Sequence, residues 1–394
     1  MERVIPGLEV ACANVTGVIG RRRWALLGNQ AAVTHDLDPA RTALVRAGAE
    51  PPAFLFAPEH GLEGIAQDME AVGDQVDPLT GKLVRSLYGH DPSTLEPRPE
   101  DLLDVDVVLV DLPDIGTRYY TFAATMDAMM AACGRAGVEL VILDRPNPLG
   151  GVIREGGLLQ PGFESFVGRL PVPVRHGMTL GELALLLQRE RYPELELTVV
   201  QCRSWRRTAW FDETGLPWVA PSPNMPTLET AILYPGLCLV EATNLSEGRG
   251  TTRPFKLIGA PWLDGPRLVA QIRRSGPQGI AARPARFRPA FGKHAGEICS
   301  GVELCITDRQ AFSPLELGVR LLGLVHRLHP EHFAWRAEAY EFVGAIPAVD
   351  LLTGDARVRT VVEAGEDPEP LFTSWREEVR RFEERLAGNM LYPE

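Results

Sequence analysis

The apolar run Phe54-Leu55-Phe56-Ala57 breaks abruptly into Pro58-Glu59-His60-Gly61. A carboxylate and an imidazole thus stand on a turn at the end of a strand candidate, where they suit proton transfer to or from a bound molecule. Three further polar clusters follow apolar runs: Asp111-Leu-Pro-Asp114-Ile-Gly-Thr-Arg118-Tyr119-Tyr120, Asp144-Arg145-Pro-Asn147-Pro-Leu-Gly-Gly151, and Glu241-Ala-Thr-Asn244-Leu-Ser-Glu247-Gly-Arg249-Gly-Thr251-Thr252. Ligands of open α/β sheets bind outside the carboxyl ends of the strands. The repeated order of strand then cluster predicts that all four line one rim.

Carboxylates, asparagines and aromatic rings in one cleft fit acid–base cleavage of a glycosidic bond, which needs a protonated acid at the leaving oxygen and a second carboxylate acting on water or on the sugar. Other classes lack their signatures. There is no G-x-G-x-x-G fingerprint or P-loop for a nucleotide and no G-x-S-x-G elbow for a serine hydrolase. Glu59 is also readable as a solvated loop residue, His60 as a packed loop histidine, Asp111 and Asp114 as turn caps or Mg²⁺ ligands, and Asp144 and Arg145 as a scaffold pair. Tyr119 and Tyr120 open a helix, so one is expected to pack inward and the other to face the cleft. Gly162–Gly168, with Phe163 and Glu164, and Arg175-His176-Gly177-Met178 read as a lid or wall, or as a solvated crossover.

The elements that must hold these residues alternate in the first half. Strands are expected at Trp24–Asn29, Ala53–Pro58, Val105–Leu112, Val138–Asp144 and Leu195–Cys202, and helices at Pro39–Ala47, Thr121–Ala136 and Thr179–Glu190. The last helix opens with a Thr179-x-x-Glu182 capping box. Strands apolar on both faces predict an α/β fold with a Rossmann-like, doubly wound, mostly parallel sheet. After about Thr251 the pattern shifts to strand-like ARFRPAF and Gly301–Asp308 and to helices Ser313–His329 and Thr373–Ala387. That shift predicts a catalytic domain over residues 1–250 and a smaller α+β domain over 251–394.

The 394 residues carry a formal charge of −12, which argues against nucleic acid as a partner. The apolar fraction of 45% is that of an ordinary globular protein. Six scattered cysteines form no C-x-x-C pair and read as small buried hydrophobes in a reducing compartment. No apolar run is long enough to span a membrane, and the start lacks a signal-peptide pattern, so a cytoplasmic protein is expected.

A series of motifs in fixed order resembles the exo-acting β-N-acetylmuramidases, a family of bacterial cell-wall glycoside hydrolases. It runs from Gly28-Asn29-Gln30 through Pro58–Gly61, Ser86-Leu87-Tyr88-Gly89, Asp144–Pro148, Gly162–Gly168, Arg175–Met178, Ser222-Pro223-Asn224-Met225-Pro226 and Asn244–Thr252 to Asp350–Gly354. The resemblance implies a Rossmann-like domain, a smaller C-terminal domain and a cleft between them. It also implies hydrolysis of terminal non-reducing N-acetylmuramic acid from peptidoglycan fragments, with no nucleotide, metal or other cofactor, and it carries the acid role to Glu59, supported by His60. Glu164, Glu247, Asp114 and Asp144 remain alternatives for the second carboxylate, and assistance from the substrate's acetamido group is a further possibility. A lactyl carboxylate calls for an arginine, with Arg118, Arg145, Arg175 and Arg249 as candidates. Asn147, Asn224 and Asn244 suit the acetamido group and hydroxyls, and His176 lies beside them in the expected binding set. A non-catalytic sugar-binding protein and a Mg²⁺-dependent phosphohydrolase are the competing readings.

Overall fold

The computed structural model describes residues 3–386 and 390–394. Among the described residues ten strands form two sheets: β1 (Trp24–Gly28), β2 (Leu55–Ala57), β3 (Gln75–Val76), β4 (Leu83–Ser86), β5 (Val107–Asp111), β6 (Glu139–Leu143), β7 (Leu197–Val200), β8 (Leu257–Ala260), β9 (Ile280–Phe287) and β10 (Cys299–Ile306). The first sheet has the order β3-β4-β2-β1-β5-β6-β7, parallel throughout except for the antiparallel edge strand β3. The second is antiparallel, in the order β8-β10-β9.

Side chains of a strand point alternately to opposite faces, and a sheet covered on both sides must therefore be apolar at every position. In β1, Ala25 and Leu27 pack into a core that also holds Phe122, Met126 and Met129 of helix Phe122–Ala136. Trp24 and Leu26 pack into another, with Leu8 and Ala11 of helix Gly7–Ala13 and Leu44 of helix Ala40–Arg46. The doubly wound sheet is thus present, and its strands β1, β2, β5, β6 and β7 run within the expected stretches. Helix Leu180–Arg191 starts on the expected box: the Thr179 hydroxyl accepts from the Glu182 N–H, and the Glu182 carboxylate accepts from the Thr179 N–H.

Short strands β3, β4 and β8 carry too little pattern to stand out in the sequence. ILYPGLCLV lies in helix Leu228–Leu237 and the 3₁₀ turn that follows it, Cys238–Ala242. The Glu241 cluster therefore follows a helix, a correction to the expected strand-then-cluster order. Helix Leu228–Leu237 lies backbone to backbone on helix Pro314–Leu328: a Cβ on Gly236 would stand 1.7 Å from the Pro314 carbonyl oxygen, and one on Gly318 would stand 2.3 Å from the Gly236 oxygen. The last long helix is Glu369–Leu386, and Ala387 of its expected span lies outside the described residues. Among the described residues no helix is long and apolar enough to cross a membrane.

Candidate active site

Parallel pairing puts the carboxyl ends of β2, β1, β5 and β6 on one edge, so Glu59, Asp114 and Arg145 do share a rim. Strand order reverses between β1 and β5. The crevice there is only about 40 Å³, walled by Ala31, Val33, Asp114, Arg145 and Trp218. The roomy cleft, about 840 Å³, opens instead where the loop after β2 meets the Glu241 cluster and the segment near Trp335.

Glu59 leaves β2 through Pro58, and the chain then turns sharply, with His60 at φ 70° and Gly61 at φ 78°. Histidine tolerates this left-handed geometry better than most residues. Its Nδ1 lies 2.9 Å from the Ala66 carbonyl oxygen, a bond that holds the loop 61–66 together. Glu59 is only 4% exposed; its oxygens accept from the Thr121 hydroxyl at 2.7 Å and the Met69 N–H at 3.3 Å. The carboxylates facing it are Asp68 and Glu341: one oxygen from each of the three lies within 4.8 Å of the other two. None of the four second-carboxylate candidates occupies that position.

Glu341 comes from a tight turn in which Tyr340 and Val343 exchange both backbone hydrogen bonds at 2.9 Å. Its two central residues, Glu341 and Phe342, have φ of 43° and 68°. That backbone normally selects Asn and Gly, so two bulky residues there carry strain. The Tyr88 hydroxyl, delivered just past β4, donates to Glu341 at 2.8 Å. Burial, then the charges of Glu59 and Asp68, push the Glu341 carboxyl well above the usual carboxylate range, although the Tyr88 bond opposes the rise.

Asp68 connects this group to the cleft wall. Arg249 donates to Asp68 at 3.2 Å and to Glu241 at 2.7 Å, and stacks 5.2 Å from the Phe255 ring centre. Tyr340 donates to the other Glu241 oxygen at 2.7 Å. Glu247 is bound by Lys293 at 3.1 Å, with Arg249 Nε 3.5 Å away. Asn244 pins the opposite wall, its amide bonded to the His332 carbonyl and its oxygen to the Ala334 N–H. Asn224 reaches the cleft through Gln67, whose oxygen it bonds at 2.9 Å. Arg336 also lines the cleft; it lies 5.3 Å from the Tyr340 ring centre and, among the described residues, makes no ion pair.

The other expected site residues hold the scaffold. Arg118 is 1% exposed and donates to the carbonyls of Gly157, Val172 and Leu352. Arg175, equally buried, is held by Glu155 at 2.9 Å and by the Leu149 carbonyl. Both tyrosines are buried, which corrects the expectation of one facing the cleft; the Tyr119 hydroxyl donates to the Pro235 carbonyl. Asp144 accepts from Thr179 at 2.8 Å, the Gly181 N–H at 2.9 Å, and Tyr392 of the C-terminal tail. Asn147 bonds the Met178 carbonyl and the Leu149 N–H. Arg145 is locked to Asp111, so Asp111 and Asp114 do not converge as Mg²⁺ ligands would. Asp114 accepts from the Gly116 N–H and lies 3.8 Å from His176 Nε2. Glu164 is exposed on its loop, bonded to the Gly162 N–H at 2.8 Å, and does not line the cleft.

Sequence reasoning missed Asp68, Tyr88, Lys293, Arg336 and Glu341. Two signals were available: Tyr88 lies in the Ser86–Gly89 motif, and Lys293 is among only three lysines in the chain, with Lys82 and Lys256.

Family models described as the N-terminal and C-terminal parts of "Exo-beta-N-acetylmuramidase NamZ" match residues 24–229 and 232–392. The chain is 39% identical to the peptidoglycan β-N-acetylmuramidase NamZ of Bacillus subtilis, over 99% of this chain and 92% of that protein. A DUF1343 family protein of Bacteroides fragilis has the same fold, with a TM-score of 0.88, 30% identity and full coverage of both chains. A second such protein from that organism gives 0.78 at 28% identity, over 99% of each chain. On this evidence the chain belongs to the exo-β-N-acetylmuramidase family.

Proposed function

We propose that this protein is a glycoside hydrolase that removes N-acetylmuramic acid from the non-reducing end of peptidoglycan fragments, with Glu59 as a catalytic carboxylate. The observation that carries the reading is the family match along essentially the whole chain. Its chemistry fits the group at the cleft, since cleavage of a glycosidic bond calls for neighbouring carboxyl groups in different protonation states. The lactyl carboxylate pairs best with Arg336, because Arg118, Arg145, Arg175 and Arg249 are each taken up by protein oxygens while Arg336 faces the cleft without an acidic partner.

A chromogenic β-N-acetylmuramide and its N-acetylglucosamine counterpart test this directly. Wild type is expected to cleave the muramide in preference, and Glu59→Gln to lose at least ~10²-fold in kcat/KM while melting as wild type does. Equal turnover by both proteins refutes the role of Glu59. Binding of the muramide without any cleavage by wild type identifies a sugar-binding protein instead.

A further inference from the structure

Behind Asp68, which lines the cleft, lies one buried carboxyl group that the reading above leaves without a task. We propose that Glu341 is the proton donor of the reaction, giving its proton to the glycosidic oxygen, and that Glu59 is the charged carboxylate acting at the sugar carbon. This inference rests on the muramidase reading and adds the identity of the acid.

Three geometric facts lead there. First, both Glu59 oxygens accept hydrogen bonds from Thr121 and the Met69 N–H, an arrangement suited to a carboxylate. Among the described residues Glu341 receives a single side-chain bond, from Tyr88 to Oε2, which leaves Oε1 as the atom to carry and deliver a proton. Second, Glu341 is 3% exposed and faces Glu59, Asp68 and, further off, Glu241, while among the described residues no cation bonds it. Like charges gathered away from water leave one carboxyl protonated, and its raised pKa agrees with that assignment. Third, the turn holding Glu341 keeps two non-glycine residues at positive φ, and strain of this kind persists where a side chain must be aimed. The hydroxyl of Tyr88 fixes the aim, which makes Tyr88 a positioning residue.

The spacing also limits the stereochemistry. Inverting pairs stand roughly 6.5–9.5 Å apart to admit a water, whereas retaining pairs stand about 5–5.5 Å apart. Glu59 and Glu341 bring one oxygen of each within 4.8 Å, a closeness nearer to the retaining arrangement than to the inverting one. As the proton moves from Glu341 to the glycosidic oxygen, the C1–O bond breaks and its electron pair stays with the departing alcohol. C1 is taken by the Glu59 carboxylate, directly or through the acetamido oxygen that Glu59 orients. Water then attacks C1, the bond from C1 to the Glu59 or acetamido oxygen breaks with its electron pair returning to that oxygen, and the water's proton passes to Glu341.

An acid is needed most when the leaving group is poor. The test compares Glu341→Gln with wild type on two substrates, a muramic acid–N-acetylglucosamine disaccharide and a 2,4-dinitrophenyl β-N-acetylmuramide whose phenolate departs without a proton. The expected result is a loss on the order of 10²–10⁴-fold on the disaccharide and less than ~10-fold on the dinitrophenyl glycoside. The anomer released first, read by NMR, should be β. Tyr88→Phe repeats the comparison in a protein with an intact Glu341. Removing the hydroxyl that lowers the Glu341 pKa should move the alkaline limb of its kcat/KM profile upward, which a merely structural role would not do. Equal losses on both substrates by folded Glu341→Gln, no loss on either, or a first-formed α anomer each overturn the assignment. Failure of wild type on both substrates overturns the muramidase reading itself.

Discussion

Asp114 and His176 were expected in the site, yet their environment predicts a purely thermodynamic signature that can be measured without any substrate. The Asp114 side chain is 8% exposed and burial pushes its carboxyl up from an ordinary 3.8 to about 7. His176, 3.8 Å away and 1% exposed, is pushed by burial from 6.5 down to about 3. Both groups are therefore neutral in the native state between about pH 4 and 6.5, while both are charged in the unfolded chain. For Asp114 the folded pKa is the higher one, so its contribution is complete below about 4 and is lost as the pH rises through 7. For His176 the folded pKa is the lower one, so stability is complete above about 6.5 and is lost as the pH falls towards 3. Each trend has a slope of about 1.4 kcal/mol per pH unit, and across their common window the two cancel. Asp114→Asn removes one trend. Relative to wild type, the variant should gain stability steadily from pH 4 to 7, by about 4 kcal/mol over the three units between 3.8 and 7. His176→Asn should change in the opposite sense, gaining towards acid, by a similar amount. Urea unfolding at half-unit steps from pH 4 to 8 measures both, and taking each variant against wild type removes the titration of every distant group. A flat or falling difference for Asp114→Asn would refute the reasoning, and would mean that the pair trades its proton to form a buried ion pair.

Arg336→Met should narrow the preference for the muramide over the glucosaminide by about 10–100-fold, the worth of one charge-assisted bond of 1.5–3 kcal/mol, with kcat/KM on the glucosaminide nearly unchanged. A selectivity ratio equal to that of wild type would remove Arg336 from lactyl recognition. Gly236→Ala would place a methyl group 1.7 Å from the Pro314 carbonyl oxygen, a backbone atom that no rotamer change can clear. We expect a loss of about 3 kcal/mol or more, seen as a lower urea midpoint, and an unaltered midpoint would show that the two helices separate freely.

Much of the framework was legible along the chain, because it is encoded locally. Strands apolar on both faces announce a doubly covered parallel sheet, and a Thr179-x-x-Glu182 box announces the helix it starts. A carboxylate directly after β2 must lie on the ligand-binding edge, since every parallel strand ends there. Patterns fail where the information is not local. Helix Leu228–Leu237 is seated by contacts distant in sequence, Gly236 on Pro314 and Gly318 on Gly236, which no local pattern announces. Arg118, Arg175 and Asp144 have the residue types of a binding site, and only burial with a full set of protein partners reveals them as scaffold. The group around Glu59 draws on four separated parts of the chain: Asp68 in the next loop, Tyr88 beyond β4, Thr121 before a helix, and Glu341 from a turn far down the sequence. Hydrophobic periodicity specifies which face of an element is buried. It carries no information about which two carboxyl groups meet, and that pairing was decided when the C-terminal half folded back across the end of β2.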